Sequence, residues 1–157
     1  MTKVLATVSI IVTIGLLALC GVNQFVLYRD IDSYINRAQV AGEADDMLQY
    51  TDLVMTNMVA HNASSGNTAL LFKTPDTDLG LEFKVLERVH DRLTEIIKLP
   101  HTDTSYQVAL DDIRGIMREL KNPSSAIAWR HYWWWSIIVL IVAWALTGWA
   151  AYYEDYL

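Results

Sequence analysis

Glu87 and His90 stand three residues apart in a stretch with helical spacing, which puts a carboxylate and an imidazole on adjacent turns of one face. Two such pairs with two further carboxylates can hold a pair of iron ions inside a helical bundle. The chain offers one pair, and His90 falls on an apolar stripe, so a hydrogen-bonded core histidine is expected. Met55, Met58 and His61 recur every three residues, and thioether with imidazole suits Cu(I). Steps of three drift around a helix, so the expectation is core packing by methionine and a histidine at the helix end. His131 lies beside Trp129 and Tyr132. A lone imidazole can ligate a haem or chlorophyll metal, but an interfacial polar residue is the commoner case. The single cysteine, Cys20, excludes an internal disulfide and a cysteine-based zinc site. No nucleophile elbow, phosphate loop or triad is present. The chain is therefore expected to be non-catalytic, with no metal or cofactor; copper at Met55–Met58–His61 and a haem or chlorophyll contact at His131 are the alternatives.

The elements that would position these groups are set by two charge-free runs, Val4 to Tyr28 with 25 residues and Tyr132 to Tyr153 with 22. At about 1.5 Å per residue, each covers the roughly 30 Å hydrocarbon core of a bilayer. Residues 29–131 hold 11 of the 12 basic and 16 of the 18 acidic side chains. The pattern predicts an all-α membrane hairpin: transmembrane helix 1 over 1–28, a water-facing helical domain over 29–131, and transmembrane helix 2 with a short tail over 132–157. The first run is longer than a signal-peptide core of about 7–15 residues, so it reads as an uncleaved signal-anchor. Leu17-Ala18-Leu19-Cys20 approaches a lipoprotein processing site, but Leu19 stands where a small residue is expected. The formal charge of −6 removes the electrostatic basis for nucleic-acid binding.

All six tryptophans lie in the last 29 residues. Trp and Tyr concentrate at membrane interfaces, where a flat apolar ring with a polar edge fits the headgroup layer. Trp129, Tyr132, Trp133, Trp134 and Trp135 mark one interface. Trp149, Tyr152 and Tyr153 mark the other, with Trp144 between them. These nine residues are the expected contacts with lipid and partner subunits. Apart from Cys20 and the tyrosines at their ends, neither run contains an ionisable group, which argues against an ion path or proton relay within the chain. The spacings Ser9–Thr13 and Ala143–Thr147–Ala151 place small residues on single faces, where helix backbones approach closely.

Orientation is read from conflicting signals. Arg118, Lys121 and Arg130 precede the second run, and only Glu154 and Asp155 carry charge after it. Counting positive charge would put the domain in the cytoplasm, but the rule weakens for connections longer than about 60 residues, and the first helix usually dominates. The Lys3-bearing start favours an extracytoplasmic domain with both termini cytoplasmic, in a bacterial inner membrane.

Within 29–131, helical spacing predominates over strand alternation. Residues 30–61 read as one long helix with a patchy stripe, or as one that folds back at Gly42. A helix over 77–98 carries Leu79, Phe83, Leu86, His90, Leu93 and Ile97, with Thr77 or Asp78 as its cap. Another over 103–122 carries Tyr106, Leu110, Ile113, Met117 and Leu120, with Thr102 or Asp103 as its cap. Residues 61–76 read as a loop.

Two spans, no intramembrane charge and a tryptophan-laden second span lead to an expected role as a non-catalytic accessory subunit. It would stabilise a larger integral membrane complex, of respiratory, photosynthetic or copper-monooxygenase type, through both spans and the helical domain. The layout of span, helical domain and span is similar to the periplasmic part of bacterial chemoreceptors. That resemblance implies the alternative, a sensory or ligand-binding protein; a copper-handling membrane protein is the third reading.

Overall fold

The computed structural model describes residues 2–69, 74–120 and 123–155. Among these every regular element is a helix; the one β-type pairing is an isolated bridge between Asn67 and Asp78. The helices are α1 (Thr2–Leu27), α2 (Ser33–Val40), α3 (Ala44–Ala60), α4 (Leu79–Ile96), α5 (Thr104–Glu119), α6 (Pro123–Ala128) and α7 (Trp134–Asp155). Single π-helical stretches, Tyr28–Asp32 and Trp129–Trp133, follow α1 and precede α7. Two helical runs, within Thr2–Val40 and Thr104–Glu154, are long and apolar enough to cross a membrane, and only 11% of the most apolar window of each is buried. The chain divides into two compact units: Met1–Phe25 with Ala128–Leu157, and Val26–Ile127.

In the first unit α1 and α7 pair antiparallel, with polar atoms between them. The Ser9 and Thr147 hydroxyls bond at 2.8 Å, Trp144 Nε1 donates to Thr13 Oγ1 at 3.3 Å, and Cys20 Sγ meets Ser136 Oγ at 3.2 Å. Ser9, Cys20, Ser136, Thr147 and Ala150 are buried, whereas Val4, Ile11, Leu17, Val22, Ile141 and Leu146 are exposed. Three of the seam hydroxyls also bond their own helix, Thr13 to Ser9 O, Ser136 to Tyr132 O and Thr147 to Ala143 O, while Ser9 Oγ donates across the seam to Ala143 O at 3.3 Å.

The second unit is an up-down-up-down bundle of α2, α3, α4 and α5, each packing on the next and α5 closing back on α2. Its core follows three- and four-residue steps: Ile31, Ile35 and Ala38; Met47, Thr51, Val54 and Met58; Leu86, Val89 and Leu93; Tyr106, Leu110, Ile113 and Met117. Such stripes bury one face of each helix and leave the charges outside. Asp78 caps α4 by accepting from the Gly80 and Leu81 amides at 2.9 and 3.4 Å. Asp103 caps α5 through the Ser105 amide at 2.9 Å. At the end of α3, Asn62 takes a left-handed conformation (φ 54°), the Ala63 amide bonds Met58 O at 2.7 Å, and the Asn62 amide bonds Val59 O at 3.0 Å. That paired closure satisfies carbonyls that the helix end would otherwise orphan.

The single helix expected over 30–61 is broken, and the alternative, a fold-back at Gly42, is what the chain does. α2 stops at Val40, Ala41 is extended (ψ 133°), and α3 starts at Ala44 and folds back along α2. Ala38, Ala41 and Ala44 are all buried, and their small side chains let the chain reverse tightly. The corner is held from α5. Tyr106 Oη accepts the Ala44 amide at 3.0 Å, Arg114 Nη2 donates to Ala41 O at 2.6 Å, and Gln39 Nε2 donates to Met117 O at 2.9 Å. The first two bonds occupy backbone groups that the helix break leaves without intrahelical partners, and the third takes up a carbonyl in the last turn of α5. The helix expected to reach residue 122 ends at Glu119, where Leu120 turns extended (ψ 115°); residues 121–122 and the tail beyond residue 155 lie outside the described residues.

Candidate functional site

The residues named above as candidate ligands separate rather than gather. Met58 is fully buried with Met47 in the bundle core, Met55 is half-buried, and His61 Nε2 turns to Asp30 Oδ2 at 3.4 Å. Glu87 is exposed. His90 is not the core histidine expected: Val89 takes the buried position on that turn. Residues 89 and 90 are both in phase with Leu86 and Leu93, so packing rather than period selects Val89, and Ile96 rather than Ile97 continues the stripe. The imidazole instead lies at the edge between α3 and α4, with Nε2 3.2 Å from Asp52 Oδ1 and Nδ1 3.4 Å from Asp91 Oδ1. Among the described residues no three His, Cys, Asp or Glu side chains come together as a metal-binding group. His131 is half-buried in the π-helical stretch, with its ring 6.2 Å from that of Tyr132.

The aromatic positions divide by exposure. Trp129, Trp134, Trp135, Trp144, Trp149, Tyr152 and Tyr153 are exposed; Tyr132 and Trp133 are half-buried. Trp135 and Trp149, at 65% and 63% the most exposed of the tryptophans, share one face of α7 with Val142, Leu146 and Tyr153, because steps of seven, four, three and four return to the same side. Trp149 and Tyr153 meet edge to face at 5.1 Å. Trp144 lies across the seam and spends its N–H on Thr13.

Two polar sites at the start of the bundle were not singled out by sequence reasoning. Asp32 is only 2% exposed. Its carboxylate accepts from the Ser124 amide at 3.2 Å and from the Ser124 hydroxyl at 2.5 Å, tying the first turn of the domain to its last. Burial pushes the Asp32 carboxyl above its ordinary range, against the two bonds from Ser124, which favour the charged form. Two residues earlier, Asp30 is shifted the other way. The Arg29 side chain at 2.7 Å and the His61 imidazole hold it below the usual carboxylate range. Asn57 Nδ2 donates to the Asp30 carbonyl at 2.5 Å, so the end of α3 is latched to the π-helical stretch. The available signal was the Arg29-Asp30-Ile31-Asp32 run immediately after an apolar helix. Nothing in the run distinguishes the buried carboxylate from the exposed one, because that depends on where Ser124 returns.

No protein-family model matches the chain, and neither a curated protein nor a solved structure matches it at a significant level.

Proposed function

We propose that this chain is an integral membrane hairpin that serves as a non-catalytic accessory subunit of a larger membrane complex. The observation that carries the reading is the inverted polarity of the α1–α7 pair: hydroxyls, a thiol and small residues between the helices, and Val, Ile, Leu and Trp outside. In water that arrangement exposes the wrong side. In a bilayer, lipid solvates the apolar surface while the seam pairs its own polar atoms. Most apolar positions of α1 are aliphatic, which suits lipid, whereas α7 offers large aromatic rings on more than one side. Aromatic surface at this density supplies both interfacial anchors and contact area for neighbouring protein. The bundle, with its capped helices and charged exterior, occupies the aqueous phase, on the extracytoplasmic side, and gives partners a second point of attachment.

The experiment is mild solubilisation of source membranes, followed by native gel separation and mass spectrometry across the lanes. Migration in fixed ratio with a large assembly is the expected outcome. Migration as a free monomer or dimer would sink the accessory role. Orientation is tested by Ser65→Cys and Lys3→Cys in intact cells with a membrane-impermeant thiol reagent. Labelling of Ser65→Cys alone is expected, and labelling of Lys3→Cys alone reverses the topology.

A further inference from the structure

A groove of about 510 Å³ runs between α4 and α5, with Leu81, Val85, Val89, Ile116 and Leu120 among its lining residues. Leu81, Val85, Arg88 and Arg92 follow one another at intervals of four, three and four, so they form one stripe of α4. Val85, Ile116 and Leu120 remain half-exposed and Leu81 exposed. The groove is electrically polar along its length. Glu82, in the first turn of α4, and Glu119, the last residue of α5, mark one end; Arg88 and Arg92 mark the other. Glu82 and Arg92 stand about 15 Å apart along the helix axis. Arg92 is already engaged by Asp112 at 2.6 Å. Among the described residues Arg88 donates only its Nε, to the Lys84 carbonyl at 3.3 Å, so its two terminal nitrogens are the unspent donors of the basic end.

Two antiparallel helices with an apolar furrow between them form a bed into which the ridge of a third helix packs. A single anionic headgroup would answer only the arginine end. A helix answers both, since it presents an acidic and a basic residue a few turns apart on either side of an apolar stripe. We infer that the α4–α5 groove receives an amphipathic helix of a partner protein, with an acidic residue seated at Arg88 and a basic residue at the Glu119 end. The inference rests on the reading that the chain works through partners, and it names the surface and the chemistry of one of them.

The test uses the full chain in detergent micelles and two synthetic helical peptides with the same apolar stripe, read by fluorescence anisotropy. One carries Glu toward one end and Lys toward the other; the second carries Lys at both. The wild-type protein binds the Glu/Lys peptide at least about tenfold more tightly than the Lys/Lys peptide, a difference of about 1.4 kcal/mol. Arg88→Glu, a change at an exposed rim position that leaves the core untouched, inverts the preference. Equal binding of the two peptides means adsorption to apolar surface and overturns the proposal, as does absence of binding. A preference that survives Arg88→Glu overturns it too. The peptide assay is independent of native-gel migration, so failure of the groove is distinguishable from failure of the accessory role.

Discussion

On the membrane placement proposed above, the two units of this protein solve opposite solvation problems with the same element. In the α1–α7 pair the buried positions are Ser9, Cys20, Ser136 and Thr147, and the exposed ones are Val, Ile, Leu and Trp. In the bundle the buried positions are Leu86, Leu93, Leu110, Ile113 and their neighbours, and among the described residues the charged side chains other than Asp32 lie outside. A helix buries whichever face its surroundings solvate less well. Water drives apolar side chains together; lipid offers them no such reward and leaves polar atoms to find each other. The difference teaches that hydrophobicity alone does not identify a core: Leu17 and Leu110 are the same residue with opposite duties.

The sharpest way to break that contrast is to truncate both. Leu110→Ala, at a fully buried position, is expected to cost about 2–5 kcal/mol of bundle stability through lost burial and the cavity left behind. Leu17→Ala, at a position 51% exposed, is expected to stay within about 0.5 kcal/mol. Urea unfolding in micelles, followed by near-UV circular dichroism, measures both; equal losses would dissolve the distinction between the units.

The α2–α3 corner gives a smaller effect. Tyr106→Phe removes the acceptor of the Ala44 amide and strands a buried donor, which costs about 1–3 kcal/mol. The same urea midpoint reads it, and no change would mean the corner holds without α5.

Asp30 and Asp32 sharpen the comparison at the level of single charges. Asp32 binds its proton more tightly folded than unfolded. Its contribution to stability is therefore fully present in acid and is lost as pH rises through its elevated folded value. Asp30 has the opposite sign: its contribution is present above the ordinary carboxylate range and is lost as pH falls through its lowered folded value. Thermal midpoints of wild type, Asp32→Asn and Asp30→Asn across the acid range are expected to separate the two. Asp32→Asn gains on wild type as pH rises, Asp30→Asn loses on it, and parallel curves would refute the assignment.

The least effect is expected in the seam. Ser9→Ala deletes the hydroxyl pair with Thr147 and the longer bond to Ala143 O. Interhelical hydrogen bonds between apolar helices average about 0.6 kcal/mol, because the separated helices also find partners, as Thr147 does with Ala143 O. Disulfide trapping of Ser9→Cys with Thr147→Cys reports the pairing directly. Failure to cross-link would remove the antiparallel register.

The residues themselves determined a good deal. The absence of charge over Val4–Tyr28 and Tyr132–Tyr153 determined where the long apolar helices lie, since an 18-residue window without charge leaves helix as the one local solution that satisfies its own backbone in an apolar setting. The spacing of Leu86, Leu93, Leu110 and Met117, and the carboxylates Asp78 and Asp103, determined α4, α5 and their starts, because periodicity and capping act over one or two turns. Tertiary structure alone decided the rest. Nothing local distinguishes Val89 from His90 as the buried neighbour, chooses the fold-back at Gly42 over a continuous helix, or makes Asp32 the buried carboxylate and Asp30 the paired one. Each depends on a group distant in sequence: Asp52 for His90, Tyr106 and Arg114 for the corner, Ser124 for Asp32. Local periodicity chooses a helix and its stripe to within one residue. Only packing chooses which side of that residue faces in, because the free energy of burying or pairing a polar group belongs to both partners at once.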